Sequence, residues 1–339
     1  MKKILFSIFC LALLMSCTKP IKFNGEQTDP KLVINSLVEA GQPVSANISK
    51  SYFFLDTEEN TMAPDDLVAS LYVNDRLIGE MTPHYDTFSI NGWYLPDLGY
   101  YHVVKVFTHP YCPSEGDIVK VSATANGFDN VEGVTSPLPN EFVCQWNNYN
   151  ITYWNKYFYV DEVGEDTVWI IDVNLDLNIE ITDPNPGQMD FFRILVRVGS
   201  YGDYLSESSN FYIGVTYDDP IFGNISSETG LFDDYSSSSS TPGVFTDQLF
   251  DSKSYQLKLP LSAYITIKGH PDPDFFSVPI QIEHITKEYY YYLNTCNQEN
   301  EIMQFFTEPV QTYSNVDGGY GLVGGRALDS LLFRLPLEE

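Results

Sequence analysis

The chain has 339 residues, and its 46 acidic and 18 basic side chains give a formal net charge of −28 at pH 7. A protein this acidic repels phosphate backbones and anionic lipid headgroups, which argues against charge-driven binding to nucleic acids or membranes. Aromatic residues make up 15% of the chain and charged residues only 19%, a balance typical of a folded, β-rich protein.

The N-terminus has the pattern of a bacterial lipoprotein signal. Two lysines precede an apolar run that is too short to span a bilayer, and the run ends in the lipobox Leu14-Met15-Ser16-Cys17. We therefore expect residues 1–16 to be removed and Cys17 to carry acyl chains that insert into a lipid bilayer. Residues 17–29 are polar without periodicity and are predicted to form a tether.

Short segments that alternate apolar and polar residues follow, separated by turn signals. The predicted strands cover residues 32–37, 44–48, 68–73, 77–81, 101–107 and 117–123. Asn74-Asp75 predicts a tight hairpin because both residue types tolerate left-handed backbone. Strands at this spacing predict an immunoglobulin- or fibronectin-like β-sandwich over residues 30–136, with Pro137 and Pro139 at its end.

Residues 140–339 are predicted to form a second β-rich domain with one or two short helices. Its clearest strands cover residues 168–177, 191–198, 255–267 and 278–282. Apolar residues from Ile285 to Cys296 fall at helical spacing behind Thr286, which predicts a short helix with Thr286 as its N-cap. Residues 201–243 hold acidic pairs and a serine run, which predict a long surface loop.

Five sequence segments, spread in order along the chain, resemble a family of Bacteroidetes outer-membrane lipoproteins, the domain-of-unknown-function 4249 family. They are KLVINSLV at 31–38, ITDP at 181–184, DFFRI at 190–194, VFTDQLF at 244–250 and EPVQTYSNVDGGYG at 308–321. The resemblance implies an outer-membrane lipoprotein, exposed at the cell surface, beside a TonB-dependent transporter and its SusD-like lipoprotein partner. It implies no catalytic residues. Thr18-Lys19-Pro20 replace the acidic residues common after the lipid cysteine in that lineage, so a periplasmic orientation stays open.

No catalytic signature occurs in the sequence: there is no Gly-x-Ser-x-Gly elbow, His-Glu-x-x-His motif, P-loop or dinucleotide fingerprint. We therefore expect no enzymatic activity, no cofactor and no metal site. The acidic groups Asp218-Asp219, Asp233-Asp234 and Asp272-Pro273-Asp274 lack the ligand spacing of an EF-hand, and solvated turns are the preferred interpretation.

Three cysteines remain beyond the lipidated one: Cys112, Cys144 and Cys296. An exported protein with three thiols has room for one disulfide, and Cys112 with Cys144 is the pair nearer in sequence. The sequence does not decide between this pairing and its alternatives.

Aromatic residues are densest between residues 142 and 159, where they alternate with asparagines. Such a segment suits a sugar- or peptide-binding surface or a protein interface, but alternate members also suit a core. The residues predicted to contact a ligand or partner are Trp146, Tyr149, Tyr153, Trp154, Tyr217, Phe222, Phe232 and Tyr235.

Together these features predict a non-catalytic accessory lipoprotein of a TonB-dependent uptake complex. We expect it to contact the transporter and the SusD-like lipoprotein, and to bind a peptide or oligosaccharide. Two alternatives stay open at this point: a surface hydrolase that acts on the imported nutrient, and a purely structural or adhesive lipoprotein.

Overall fold

A computed structural model describes residues 29–53, 61–89, 101–160, 167–196, 210–222, 243–268, 275–296 and 312–336. The strands are β1 (Leu32–Glu39), β2 (Val44–Lys50), β3 (Val68–Val73), β4 (Arg76–Glu80), β5 (Thr82–Ser89), β6 (Tyr101–His109), β7 (Val119–Thr124), β8 (Val131–Val134), β9 (Cys144–Val160), β10 (Thr167–Thr182), β11 (Phe191–Val196), β12 (Asn210–Val215), β13 (Gly243–Thr246), β14 (Ser254–Lys268), β15 (Phe275–Ile285), β16 (Val316–Asp317) and β17 (Tyr320–Pro336). Helix α1 spans Lys287–Cys296, and single 3₁₀ turns cover Pro220–Phe222 and Asp247–Leu249. The predicted mainly-β fold is confirmed.

The strands form three sheets that build two sandwiches. The large sheet has eight strands in the order β13-β11-β15-β17-β1-β2-β6-β5. A five-stranded sheet, β16-β8-β7-β3-β4, shares one apolar core with β1, β2 and β6, and we call this unit the N-terminal sandwich. A four-stranded sheet, β12-β14-β10-β9, shares a second core with β11, β13, β15 and the end of β17, and we call this unit the C-terminal sandwich.

Strand β17 joins the two sandwiches. It pairs in parallel with β1 from Val33↔Tyr320 to Glu39↔Arg326, and antiparallel with β15 from Ile285↔Arg326 to Phe275↔Pro336. Its Val323 lies in the N-terminal core, whereas Phe333 lies in the C-terminal core. The N-terminal sandwich therefore contains residues from the end of the chain as well as residues 30–136.

Local sequence explains most of these elements. Strand β1 alternates buried and accessible residues along its length, as its apolar pattern predicts. Asn74 and Asp75 have φ angles of 50° and 63°, which confirms the predicted hairpin turn. Strand β5 pairs with β6 at the edge of the large sheet, but its exposed residues 82–86 lack the apolar alternation of a half-buried strand. The sequence pattern therefore gave no signal for β5.

The predicted surface loop over residues 201–243 is wrong in its middle part. Residues 210–215 form β12, which pairs with β14, and the following turn places Ile221 and Phe222 in the C-terminal core. The neighbouring ranges 197–209 and 223–242 lie outside the described residues, and so does the acidic pair Asp233-Asp234.

Helix α1 confirms the predicted helix behind β15 and connects both sandwiches. Thr286 precedes the helix, and its hydroxyl oxygen accepts a hydrogen bond from the Gly325 amide of β17 at 3.0 Å. Glu288 is buried in the first turn and accepts hydrogen bonds from the Ser136 amide at 3.1 Å and the Ser136 hydroxyl at 2.7 Å. The helix is thus held to the segment that leaves the N-terminal sandwich.

Four charged side chains on four neighbouring strands of the large sheet lie in contact one after another, and we call this series the charge ladder. Arg326 on β17 lies 3.4 Å from a carboxylate oxygen of Glu39 on β1 and donates to Glu283 on β15 at 2.7 Å. Arg193 on β11 lies 3.6 Å from the other oxygen of Glu283, which is fully buried. Opposite charges therefore alternate over four neighbouring strands, across the boundary between the two sandwiches.

We expect Gly321→Ala to destabilise the protein by more than about 3 kcal/mol. Gly321 has a φ of 112°, and a Cβ there would overlap the carbonyl oxygen of Ile34 on the paired strand. Gly41→Ala is the matched control: its φ is 77°, but no atom lies within 4 Å of its Cβ position, so it should lose only about 1 kcal/mol. Urea unfolding of both variants tests this, and equal losses would contradict it.

We expect Glu283→Gln to destabilise the protein by roughly 3–5 kcal/mol, since it leaves two half-buried arginines without their shared counter-charge. Glu132→Gln, which removes an ion pair between Lys120 and an exposed carboxylate at 3.3 Å, should cost less than about 1 kcal/mol. Thermal unfolding of the two variants at one pH and salt concentration provides the comparison. A Glu283 variant as stable as the Glu132 variant would show that the charge ladder contributes little.

Candidate functional site

The outer side of the four-stranded sheet carries an ordered array of polar and tyrosine side chains. The inner residues of β10, such as Val173, Leu177 and Ile179, are fully buried, so the alternate residues point outward. Strand register places residues of β9 and β14 beside them in rows. We call this surface the polar face; its residues are Asn148, Asn150, Tyr153, Asn155, Tyr157, Asp172, Asn174, Asp176, Asn178, Glu180, Gln256, Lys258, Ser262 and Tyr264.

The predicted aromatic site is divided between the two sides of β9. The rings of Trp146 and Tyr149 meet the buried ring of Phe333 at centroid distances of 5.7 and 5.2 Å, and Trp154 packs against the same core. Trp146 stays 41% accessible because β9 is the edge strand of its sheet. Tyr153 pairs with Asn174 and belongs to the polar face, where it is 45% accessible.

Two irregularities in β9 produce this division. The β9–β10 register shifts between Asn178 and Ile179 and again between Asn174 and Leu175, which inserts one extra β9 residue at each point. Each insertion reverses the side to which the following residues point. Trp146, Tyr149 and Trp154 therefore share the inner side although their spacing does not follow a period of two.

Hydrogen bonds fix the amides and carboxylates of the polar face. Asn147, at the first irregularity, donates to Glu180 at 3.1 Å and to Gln256 at 2.9 Å. Hydrogen bonds from these two amides lower the pKa of Glu180, so this carboxylate stays ionised at neutral pH. Asn178 also donates to Asn148 at 2.5 Å. The arrangement holds amide groups and one negative charge in place.

Charge and aromatic rings complete the polar face. Lys258 lies 2.9 Å from Asp176, and this hydrogen bond and charge raise the pKa of Lys258. Tyr157 on β9 and Tyr264 on β14 flank β10 and are 46% and 44% accessible. Partial desolvation and then the neighbouring Tyr264 raise the pKa of Tyr157, so its phenol stays protonated.

Tyr217 and Phe222, two further predicted contact residues, do not lie on this surface. Tyr217 is half-buried, and its ring meets that of Phe222 at 5.0 Å. Phe222 is only 4% accessible and packs against Phe245, so its predicted surface role is wrong in this conformation. The predicted residues Phe232 and Tyr235, the predicted lipidation site Cys17 and the Asp272–Asp274 group lie outside the described residues.

Two further residues of types that can take part in acid–base chemistry, Asp219 and His284, are hydrogen-bonded to other parts of the fold. Asp219, predicted in a solvated turn, is buried and accepts hydrogen bonds from the Tyr255 hydroxyl at 2.6 Å and the Lys258 amide at 3.0 Å. His284 is buried, and its ring nitrogens lie 3.0 Å from the Asn140 carbonyl oxygen and 3.1 Å from an Asp190 carboxylate oxygen. Both side chains link separate segments of the C-terminal sandwich.

The predicted disulfide between Cys112 and Cys144 is not formed in the structure. Cys112 is exposed in the loop after β6, whereas Cys144 is buried at the start of β9. The Cys144 thiol donates to the Asp329 carboxylate at 3.2 Å. Burial and this carboxylate raise the pKa of the Cys144 thiol well above its usual range.

The comparisons with known proteins give a family. The profile of DUF4249, described as a domain of unknown function, matches residues 18–330. The chain belongs to this family. No curated protein matches it. Among solved structures, a crystal structure of the collagen adhesin from S. aureus aligns over 91% of this chain and 95% of that one, but with 8% identity and a TM-score of only 0.11.

The helices of this DUF4249 chain can be compared with the length and polarity that a membrane span requires. Among the helices that the structure describes, none is long and apolar enough to cross a bilayer.

We expect iodoacetamide to label Cys112 in the native protein and Cys144 only after unfolding. The buried, protonated thiol of Cys144 should react at least about tenfold more slowly at pH 8 than the exposed one, because the thiolate is the nucleophile. Peptide mass spectrometry without reductant measures both sites. A peptide pair linked through Cys112 and Cys144 would contradict the structure.

Proposed function

We propose that this DUF4249 protein is a non-catalytic lipoprotein that binds an oligosaccharide or an extended peptide on its polar face. It serves in this proposal as an accessory subunit of a TonB-dependent uptake complex in the outer membrane of a Bacteroidetes bacterium. The observation that carries the binding role is the polar face itself, where exposed tyrosine rings stand beside amides held by hydrogen bonds.

The chemistry of the polar face suits a hydroxyl-rich or amide-rich ligand. Tyrosine rings offer an apolar surface and a polar tip, and fixed amides offer donors and acceptors in known directions. Holding these groups in place before binding lowers the entropy cost of association. A neutral sugar or a peptide backbone would use both kinds of contact.

The shape of the polar face suits an extended ligand. The polar face follows β10 from Asp172 to Glu180, which at about 3.3 Å per residue extends roughly 30 Å. Three carboxylates, Asp172, Asp176 and Glu180, and a single ammonium, Lys258, give the polar face a negative balance. We therefore favour neutral or cationic oligomers over sulfated, phosphorylated or uronic-acid polymers.

The assembly part of the proposal has separate support. The lipobox at Cys17 and the polar tether predict attachment to a membrane through acyl chains, and the high negative charge argues against direct adsorption to lipid headgroups. Acyl chains on a polar tether do not fix the orientation of the folded protein at the membrane. In this proposal, contacts with partner proteins fix it. The TonB-dependent transporter and a SusD-like lipoprotein are the partners that the family resemblance implies.

We expect Tyr153→Ala and Tyr264→Ala each to weaken binding of a matched oligomer about 3- to 10-fold, the effect of losing one stacked ring. Tyr85→Ala, which removes a 62% accessible tyrosine from the N-terminal sandwich, is the control and should bind normally. A glycan array and a peptide mixture identify the oligomer, and calorimetry gives the affinities. Recovery of the ligand unchanged would show that binding occurs without hydrolysis. An equal loss of affinity in all three variants would exclude the polar face as the binding site.

We expect affinity purification of the tagged protein from gently solubilised outer membranes to recover a TonB-dependent transporter and a SusD-like lipoprotein. A Cys17→Ala variant, which blocks acylation, should reduce this recovery strongly because it removes the membrane anchor. Recovery of the protein alone after crosslinking, at matched expression, would contradict the accessory role. That result would leave a free-standing surface binder.

A further inference from the structure

Two loops at one end of the C-terminal sandwich bring aspartates together. Asp183 follows β10 and Asp190 precedes β11, so both flank the loop between these strands. Asp247 and Asp251 come from the short connection between β13 and β14. The two loops are far apart in sequence but share hydrogen bonds: Gly187 donates from its amide to Asp251 at 2.7 Å, and Ser252 donates to Asp183.

Three of these carboxylates have the separation of ligands around one ion. Asp183, Asp247 and Asp251 each place an oxygen within 4.8 Å of the other two. Calcium–oxygen distances are about 2.4 Å, so two ligands on opposite sides of one ion lie about 4.8 Å apart. All three oxygens can therefore contact the same cation. Asp183 and Asp247 are 7% and 1% accessible, whereas Asp251 is exposed and leaves a path to solvent.

Asp247 provides an independent sign that a ligand belongs here. One of its oxygens accepts a hydrogen bond from the Asp190 amide at 3.1 Å, but the other, Oδ2, is buried without any hydrogen-bond partner. A buried acceptor without a partner is costly, and more so when it is ionised.

The fourth aspartate has another role. Asp190 accepts two hydrogen bonds from the side-chain amide of Asn185, at 3.0 and 3.2 Å, and lies 3.1 Å from a ring nitrogen of His284. Its charge is therefore already compensated by donors. Asp183 and Asp251 also accept hydrogen bonds, from the amides of Asn185 and Gly187 at 2.8 and 2.7 Å. Neither is paired with a basic side chain among the described residues, and both lie beside the unpartnered oxygen of Asp247.

We propose that Asp183, Asp247 and Asp251 bind one calcium ion, which fixes the β10–β11 loop to the β13–β14 connection. Calcium suits the set because it takes hard oxygen ligands, accepts irregular geometry and completes its 6–8 ligands with water. Magnesium suits it less, since it demands near-octahedral geometry and gives up its water reluctantly.

The position gives the ion a structural consequence. Asn185, in the first loop, accepts a 2.6 Å hydrogen bond from Asn140, which lies in the segment between the two sandwiches. A ring nitrogen of His284 lies 3.0 Å from the backbone carbonyl oxygen of Asn140. Calcium binding therefore stabilises the end of the C-terminal sandwich that meets this connecting segment, and the effect extends beyond the two loops.

The test titrates calcium into the purified protein after EDTA treatment. Calorimetry measures calcium binding, and thermal unfolding with and without calcium measures its effect on stability. With an affinity in the range of extracellular calcium modules, 5 mM CaCl₂ should raise the melting temperature by roughly 2–6 °C. Asp251→Asn should fold normally and bind calcium at least about tenfold more weakly. Asp65→Asn, an exposed aspartate of the N-terminal sandwich, is the control and should behave as the unmodified protein.

Asp247→Asn separates this proposal from a merely structural role of the aspartates. Without calcium this variant should be at least as stable as the unmodified protein, because it removes a buried charge, but its melting temperature should not respond to calcium. No calcium-dependent heat or shift in the unmodified protein would overturn the proposal. A shift retained in both Asp247→Asn and Asp251→Asn would place the ion elsewhere and overturn it as well.

Discussion

The parallel pairing of the first and last described strands is the constraint on which the rest of the structure depends. Because β17 lies between β1 and β15, one eight-stranded sheet serves both sandwiches, and neither core is complete without it. The charge ladder crosses this seam with its central carboxylate, Glu283, fully buried. Removing one partner of a buried ion pair is costly because the other charge stays buried and unpaired, and a misplaced strand would have the same effect here. We regard the ladder as the feature that fixes β17 in its place.

This architecture explains how the polar face is held. The inner side of the four-stranded sheet is occupied by the C-terminal core, to which Trp146, Tyr149 and Trp154 contribute from the edge strand β9. An edge strand anchored by large rings is rigid enough to present polar groups on its other side. Trp146, Tyr149 and Trp154, which the sequence predicts as contact residues, therefore pack on the core side and support the polar face that we propose as the binding surface.

The sequence predicted the elements better than their arrangement. Alternating apolar residues located β1, β3, β7 and β14, and Asn74-Asp75 located a hairpin, because these signals act over neighbouring residues. The pairing of β17 with β1 joins residues nearly 290 positions apart, and only the glycines from Gly318 to Gly325 hinted at a close backbone approach. The irregularities in β9 reverse which side chains point outward, so a count of aromatic residues could not separate the core from the polar face. The aspartate cluster was missed because its members come from two loops.

The central claim is that the polar face holds the ligand. The most direct measurement is cryo-electron microscopy of the protein purified from its native cells, together with any proteins and any oligomer that remain bound to it. The account predicts density for an extended ligand across Tyr153 and Tyr264, along β9 and β10. A polar face covered by a partner protein, with the ligand bound elsewhere, would contradict it.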